Sequence, residues 1–462
     1  MNKKISLTSL VLVITLILVW QTYNKLHPKK SVEVVKENFE PVGKLPGVKT
    51  TYDLSLKMNK DETFNVQAFI DITNTSMDNI NSLELYFMPN MFTKENSPGL
   101  EHPSKLLINS INVDNSPSTY KLFKDKLTIP LKKNLETNKK IRLSISYSFS
   151  LPEEGFRFTK QGENFYLAQW YPMVPTYIEE KGWNKNNYQF KGESYHTTFS
   201  NFKIKYEIPK DYTIVTTSEN DEFPSKNNNT LSVKDVKEIF IGILKRPSVI
   251  TKKVDNVQVR LFNFEESIQQ EALESAAKSL KYFQSTVGPY PFKQLDIIAS
   301  DAGMEYPGIV TVDSNGRSNN VIIMTVHEIA HQWFYGVISN DPFYDAWIDE
   351  GLASLTTNLF LAGKDEIPNY KLPVKLEPKP SNLPIDQYTQ NEYSSYIYGQ
   401  SSHELLKIFN HYGGRKVMEN FLKKYYSTYQ YKELDTKEFI RFLKYELGIK
   451  EDNFFDRWLL LK

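Results

Sequence analysis

The stretch His327-Glu328-Ile329-Ala330-His331-Gln332-Trp333, followed by Trp347-Ile348-Asp349-Glu350-Gly351, decides how the chain reads. Histidines four apart lie one turn apart on a single helix face. Both imidazoles can therefore reach one zinc ion, while Glu328 between them stays within reach of a water held there. Two histidines leave such a site short of a third protein ligand. Glu350 follows after the 18 intervening residues 332–349, on the next expected helix. An antiparallel return of that helix would carry its carboxylate to the metal and leave one coordination position open. With 7 histidines in 462 residues, the pattern arises by chance in roughly one such chain in a hundred. The competing reading, a buried helix whose histidines only satisfy core hydrogen bonds, leaves polar groups desolvated without compensation.

Working outward, residues 321–338 are apolar nearly all round, which predicts a buried helix. A second helix is expected over 346–362, with Asp345 as N-cap and Gly363 as stop. Upstream, Leu273, Ala276, Ala277, Leu280 and Phe283 recur at helical spacing before Gly288 and Pro289, and a short strand is expected over 295–299. Downstream, Pro368, Pro373, Pro378, Pro380 and Pro384 predict an irregular loop, and helices resume near Tyr396. The last helix is bracketed by Asp435 and Glu438 as a capping box and by Gly448 as C-cap.

Before about residue 262 the dominant period is two. Ile141, Leu143, Ile145, Tyr147 and Phe149 alternate with polar residues, as do Phe64, Val66, Ala68, Ile70 and Ile72, and again Phe202, Ile204, Tyr206 and Ile208. The expected class is α+β, with a β domain over 49–262 and a mostly helical catalytic domain over 263–462. Residues 31–48, with Pro41, Gly43, Pro46 and Gly47, read as a linker.

Lysine and arginine total 56 against 55 acidic residues, a net charge of +1, so no nucleic-acid partner is expected. The absence of cysteine excludes disulfides, thiolate metal sites and a cysteine nucleophile, and with them a lipidated N-terminal cysteine. Within the first 30 residues, Ile5 to Tyr23 carries no charge and would span about 28 Å as a helix, close to a hydrocarbon core, with Trp20 and Tyr23 suited to the interface. The region after Val19 lacks the small residues of a cleavage site. Residues 5–23 are therefore expected to be an uncleaved membrane anchor, the alternative being secretion after cleavage. Lys3 and Lys4 on one flank oppose Lys25, Lys29 and Lys30 on the other. The extracytoplasmic placement of the catalytic domain thus rests on the N-terminal position of the segment.

The run 327–333 together with 347–351 resembles the zinc core of the aminopeptidase N and leukotriene-A hydrolase family of gluzincin metallopeptidases. Fainter likeness lies in Gly192-Glu193-Ser194-Tyr195, in Gly288-Pro289-Tyr290-Pro291 and in Phe454-Phe455-Asp456-Arg457-Trp458-Leu459, so the resemblance covers roughly 50–462. It implies a saddle-shaped β domain packed on a thermolysin-like α domain, with the family's usual C-terminal helical domain absent. It also implies one zinc per chain on His327, His331 and Glu350, with Glu328 as general base. Ala302-Gly303-Met304-Glu305-Tyr306 resembles the family's Gly-x-Met-Glu-Asn strand, which implies that Gly303 and Met304 line the substrate site and that Glu305 binds the α-amine. Here alanine and tyrosine replace the usual glycine and asparagine. Tyr396-Ile397-Tyr398-Gly399 resembles Tyr-x-Lys-Gly, which implies Tyr396 as hydroxyl donor to the oxyanion, with Tyr398 where lysine is usual.

The expected activity is zinc-dependent removal of N-terminal residues from a peptide substrate. An endopeptidase on the same core is the first alternative. A surface binding protein that kept the fold and lost the chemistry is the second, and the presence of all three ligands and the base speaks against it.

Overall fold

The computed structural model describes residues 38–363, 377–451 and 453–461. The expected anchor, residues 5–23, lies outside them, as do Pro368 and Pro373 of the proline-rich loop. Among the described residues, no helix is long and apolar enough to cross a membrane.

The β-rich half is built on a seven-stranded sheet. Its order is Asn228–Val236, Ser200–Glu207, Val48–Met58, Phe64–Asn74, Lys140–Phe149, Leu106–Val113 and Ser116–Pro117. The period-two pattern produces it directly. In Val48–Met58 every second residue is buried, and in Phe64–Asn74 the buried set starts at Phe64 and recurs at every second position. Antiparallel pairing of these two strands, Leu54 opposite Ala68 and Leu56 opposite Val66, puts both apolar sets on one face. Three- and four-stranded sheets accompany it. The latter, with Ile241–Lys245 and Asn164–Leu167 at its centre, lies against the catalytic half.

The catalytic half opens with a sheet ordered Val249–Val254, Val257–Phe262, Gln294–Ser300 and Ile309–Asp313. This sheet continues across residue 262, where the sequence pattern placed a boundary, because Val257–Phe262 pairs in parallel with Gln294–Ser300. Parallel pairing requires a crossover, supplied by helix Glu266–Thr286. All seven residues of Gln294–Ser300 are buried, as expected of an inner parallel strand covered on both faces.

Two helices then carry the decisive motif, Ser318–Ala330 and Trp347–Leu361. The first is shorter than the expected 321–338. It stops at His331, and the chain turns back through Tyr335, whose φ of 141° no helix accommodates, with the Gly336 amide donating to the His331 carbonyl. Residues 333–338 are buried all the same. An unbroken apolar run reports burial and does not reveal where a helix ends. Asp345 is not the cap of the second helix. Its carboxylate accepts from the Thr436 amide and hydroxyl and ties that helix to the last one, Thr436–Leu447. The last helix has the expected caps, Asp435 accepting from the Glu438 amide and Gly448 left-handed, but Glu438 turns its carboxylate to Tyr429 and Arg441 instead of closing the box.

The two halves meet along an apolar seam. Tyr166, Val215 and Phe240 from the β half pack with Phe262, Met304 and Tyr306 of the catalytic half, and the Tyr306 ring stacks on Phe240 at 4.4 Å. The segment that carries Glu305 is thus held from both sides.

Candidate metal centre and cleft

Helix spacing sets the centre. His327 and His331, one turn apart, bring their Nε2 atoms to 3.1 Å of each other, and both face Glu350 Oε2, at 3.2 Å and 3.0 Å. Zinc with bonds of about 2.0–2.1 Å in a tetrahedral site separates its ligand atoms by roughly 3.3 Å, so the triangle fits the ion. The proton inventory is consistent with this. His331 Nδ1 lies 2.9 Å from the Phe334 carbonyl, which can only accept, so Nδ1 carries a hydrogen and Nε2 is the ring atom that faces the carboxylate oxygen. A positive charge belongs between them, a proton on Nε2 when, against burial, Glu350 keeps the ring charged, or a metal cation held by the three convergent donors. One further group of potential ligands occurs among the described residues, Glu101, His102 and Glu154, and it is fully exposed.

The electrostatics agree. Burial opposes the Glu350 charge, but His331 and His327 outweigh it and hold the carboxyl at about 2, ionised as a ligand must be. Burial lowers His327, which favours the neutral imidazole. Glu328, beside the ligands and not among them, is pushed up to about 8 by burial, with Glu350 adding to that and His331 opposing. A carboxyl poised near neutrality suits proton transfer.

The cleft over these residues has a volume of about 520 Å³. Gly303, Met304 and Glu305 all line it, as the motif implied. Met304 exchanges both backbone hydrogen bonds with Thr311, so the segment runs antiparallel along the edge of strand Ile309–Asp313. Gln332, the residue after the second histidine, clamps it. Its side chain donates to the Tyr306 carbonyl and accepts from the Gly308 amide. Glu305 is buried and its carboxyl is raised well above the usual range, first by burial and then by Glu193. At Gly303 a Cβ would lie 2.5 Å from Glu328 Oε1, so any side chain there would push that carboxyl aside.

Tyr396 does not reach the cleft. Its hydroxyl donates to the Glu377 carbonyl at 2.8 Å and it is absent from the lining. Tyr398 takes the place instead. Its ring stacks on His327 at 5.7 Å and its hydroxyl donates to Glu350 Oε1. The resemblance to Tyr-x-Lys-Gly aligned Tyr396 through Gly399, whereas the π-helical stretch Tyr393–Gln400 turns Tyr398 toward Glu350.

Two further lining residues escaped the sequence reading. Buried Glu193 and partly buried Arg157 form an ion pair at 2.6 Å in the wall beside Glu305. Glu193 lay within a quoted motif, and its burial was the missing signal. For Arg157 the sequence carried none.

A His-Glu-x-x-His helix and a distal glutamate converging on one point, with a buried carboxyl over an open cleft, define a metallohydrolase centre of zinc-peptidase type. Residues 271–458 match the family model described as the peptidase family M1 domain. Aminopeptidase M1-B of Oryza sativa subsp. japonica is 24% identical over 219 residues, which cover 40% of this chain and 25% of the relative. Aminopeptidase N of Oryctolagus cuniculus is 31% identical over 120 residues, covering 22% and 12%. The chain thus spans a quarter or less of these relatives. The M1 zinc metallopeptidase from Deinococcus radiodurans has a similar fold, with a TM-score of 0.65 at 14% identity over 90% of this chain and 95% of that one. A mutant of that protein has been solved bound to a Tyr-Ser-Ala substrate.

Proposed function

We propose that this protein is a zinc-dependent aminopeptidase, and the observation that carries the reading is the buried Glu305 carboxyl in the wall of the cleft that holds the metal triad. His327, His331 and Glu350 would hold the ion, which when bound acts as a Lewis acid toward water and the scissile carbonyl. Glu328 takes the proton of the attacking water and passes it to the leaving amine. Tyr398, whose phenol burial keeps protonated, donates its hydrogen to the developing oxyanion after leaving Glu350. Glu305 pairs with the substrate's α-ammonium, and that contact fixes which peptide bond lies over the metal.

The test compares a free-amine peptide with its N-acetylated form. Wild type should cleave the first from its N-terminus and leave the second intact, and Glu305→Gln should lose most kcat/KM on the free form. Equal cleavage of both at internal bonds would instead establish an endopeptidase. The proposal extends to location: residues 5–23 anchor the chain and the catalytic domain lies outside the cytoplasm. Protease added to intact cells should digest the domain, and protection until lysis would reverse the orientation.

A further inference from the structure

Tyr393 lines the same cleft, is 3% exposed, and has a hydroxyl with no hydrogen-bond partner. A buried hydroxyl left without any partner costs roughly 1–3 kcal/mol, and because Tyr393 lines the cleft, a polar group that enters there can relieve that cost by donating to its oxygen. Its surroundings indicate the visitor. The ring packs edge-on at 5.7 Å against Tyr398, the tyrosine bonded to Glu350. The hydroxyl lies against the backbone of Gly192, where a Cβ would come within 2.4 Å of it, and Gly192 has a φ of 61°. Gly192 directly precedes Glu193, whose carboxyl is pinned by Arg157 in the cleft wall. Among charged groups, Glu193 acts most strongly on the Tyr393 phenol, which burial first of all holds well above its ordinary range and therefore protonated.

An α-ammonium presents three N–H donors. Glu305 and Glu193 supply two acceptors, and we propose that the Tyr393 hydroxyl oxygen is the third, making Tyr393 a substrate-binding residue selective for primary amines. The proposal rests on the aminopeptidase reading and names the part of the site that counts the substrate's N–H groups. Gly192 is glycine because any side chain there would occupy the space of the hydroxyl.

The experiment measures kcat and KM of wild type and Tyr393→Phe on aminoacyl-coumarin substrates and on their N-methyl analogues, which keep only two N–H donors. Zinc content and Tm are measured on the same samples. Tyr393→Phe should raise KM for primary amines by about tenfold or more, the scale of a hydrogen bond to a charged group, with kcat and Tm little changed. The penalty for N-methylation, large in wild type, should shrink in the variant. Unchanged KM with equal penalties would overturn the proposal, as would a fall in kcat alone or a fall in Tm. N-acetylated substrates run in parallel separate the two levels, because their cleavage by wild type would remove the aminopeptidase reading itself.

Discussion

Gly303→Ala should disable the enzyme while barely disturbing the fold. A Cβ at 303 would sit 2.5 Å from Glu328 Oε1, 3.1 Å from Met324 Cε and 3.3 Å from Glu328 Cδ, against an ordinary contact that begins at 3.4 Å. The carboxyl must therefore retreat by about 0.9 Å. Because the atom displaced is the far end of a flexible side chain, a rotation of Glu328 relieves the overlap at a cost of about 1 kcal/mol. The catalytic consequence is larger, since a reacting group misplaced by about 1 Å can lose roughly a hundredfold in rate. Steady-state kinetics should show kcat lower by about 10- to 100-fold, with zinc content intact because Glu328 is not a ligand. Gly316→Ala is the control, since its nearest neighbour would lie at 3.7 Å. A Gly303→Ala enzyme with kcat within twofold of wild type would refute both the placement of Glu328 as base and the role of the glycine.

Glu328→Gln should keep one zinc per chain and lose about 10²–10⁴ in kcat, read by metal analysis and kinetics on one sample. Tyr398→Phe should lower kcat by about 10²–10³ with little change in KM, whereas Tyr396→Phe should leave kcat near wild type; the reverse result would restore the sequence-based choice of tyrosine. A pH effect on stability is expected at Asp345, whose carboxyl burial pushes up to about 6, with Thr436 opposing. The folded state binds that proton more tightly than the unfolded chain does. The stabilisation is complete below about pH 4 and is lost as pH rises through about 6, an amount of about 2 to 3 kcal/mol. Denaturant titrations between pH 4 and 7 should show this slope in wild type and a shallower one in Asp345→Asn; parallel slopes would exclude the contribution.

The convergence of His327, His331 and Glu350 was legible because a four-residue helical spacing is a local code and Glu350 lies on the very next helix. The β half was legible for a similar reason, its alternation being the direct imprint of one buried face. What escaped depended on non-local or irregular geometry. The π-helical stretch Tyr393–Gln400 moves Tyr398 to the position that a motif count gave to Tyr396. The hairpin Val249–Val254 with Val257–Phe262 joins the catalytic sheet because of a parallel partner that lies beyond a 21-residue helix. Arg157 and Glu193 reach the cleft from the β half, more than a hundred residues before the metal helix, and only the packed fold brings them there.

The most direct measurement is zinc stoichiometry and activity on one purified sample, before chelation, after it, and after zinc is returned. One zinc per chain is expected, with loss of N-terminal cleavage on chelation and its recovery with zinc, together with loss of the metal in His331→Ala. Protein that contains no stoichiometric zinc and gains no activity when zinc is added would contradict it.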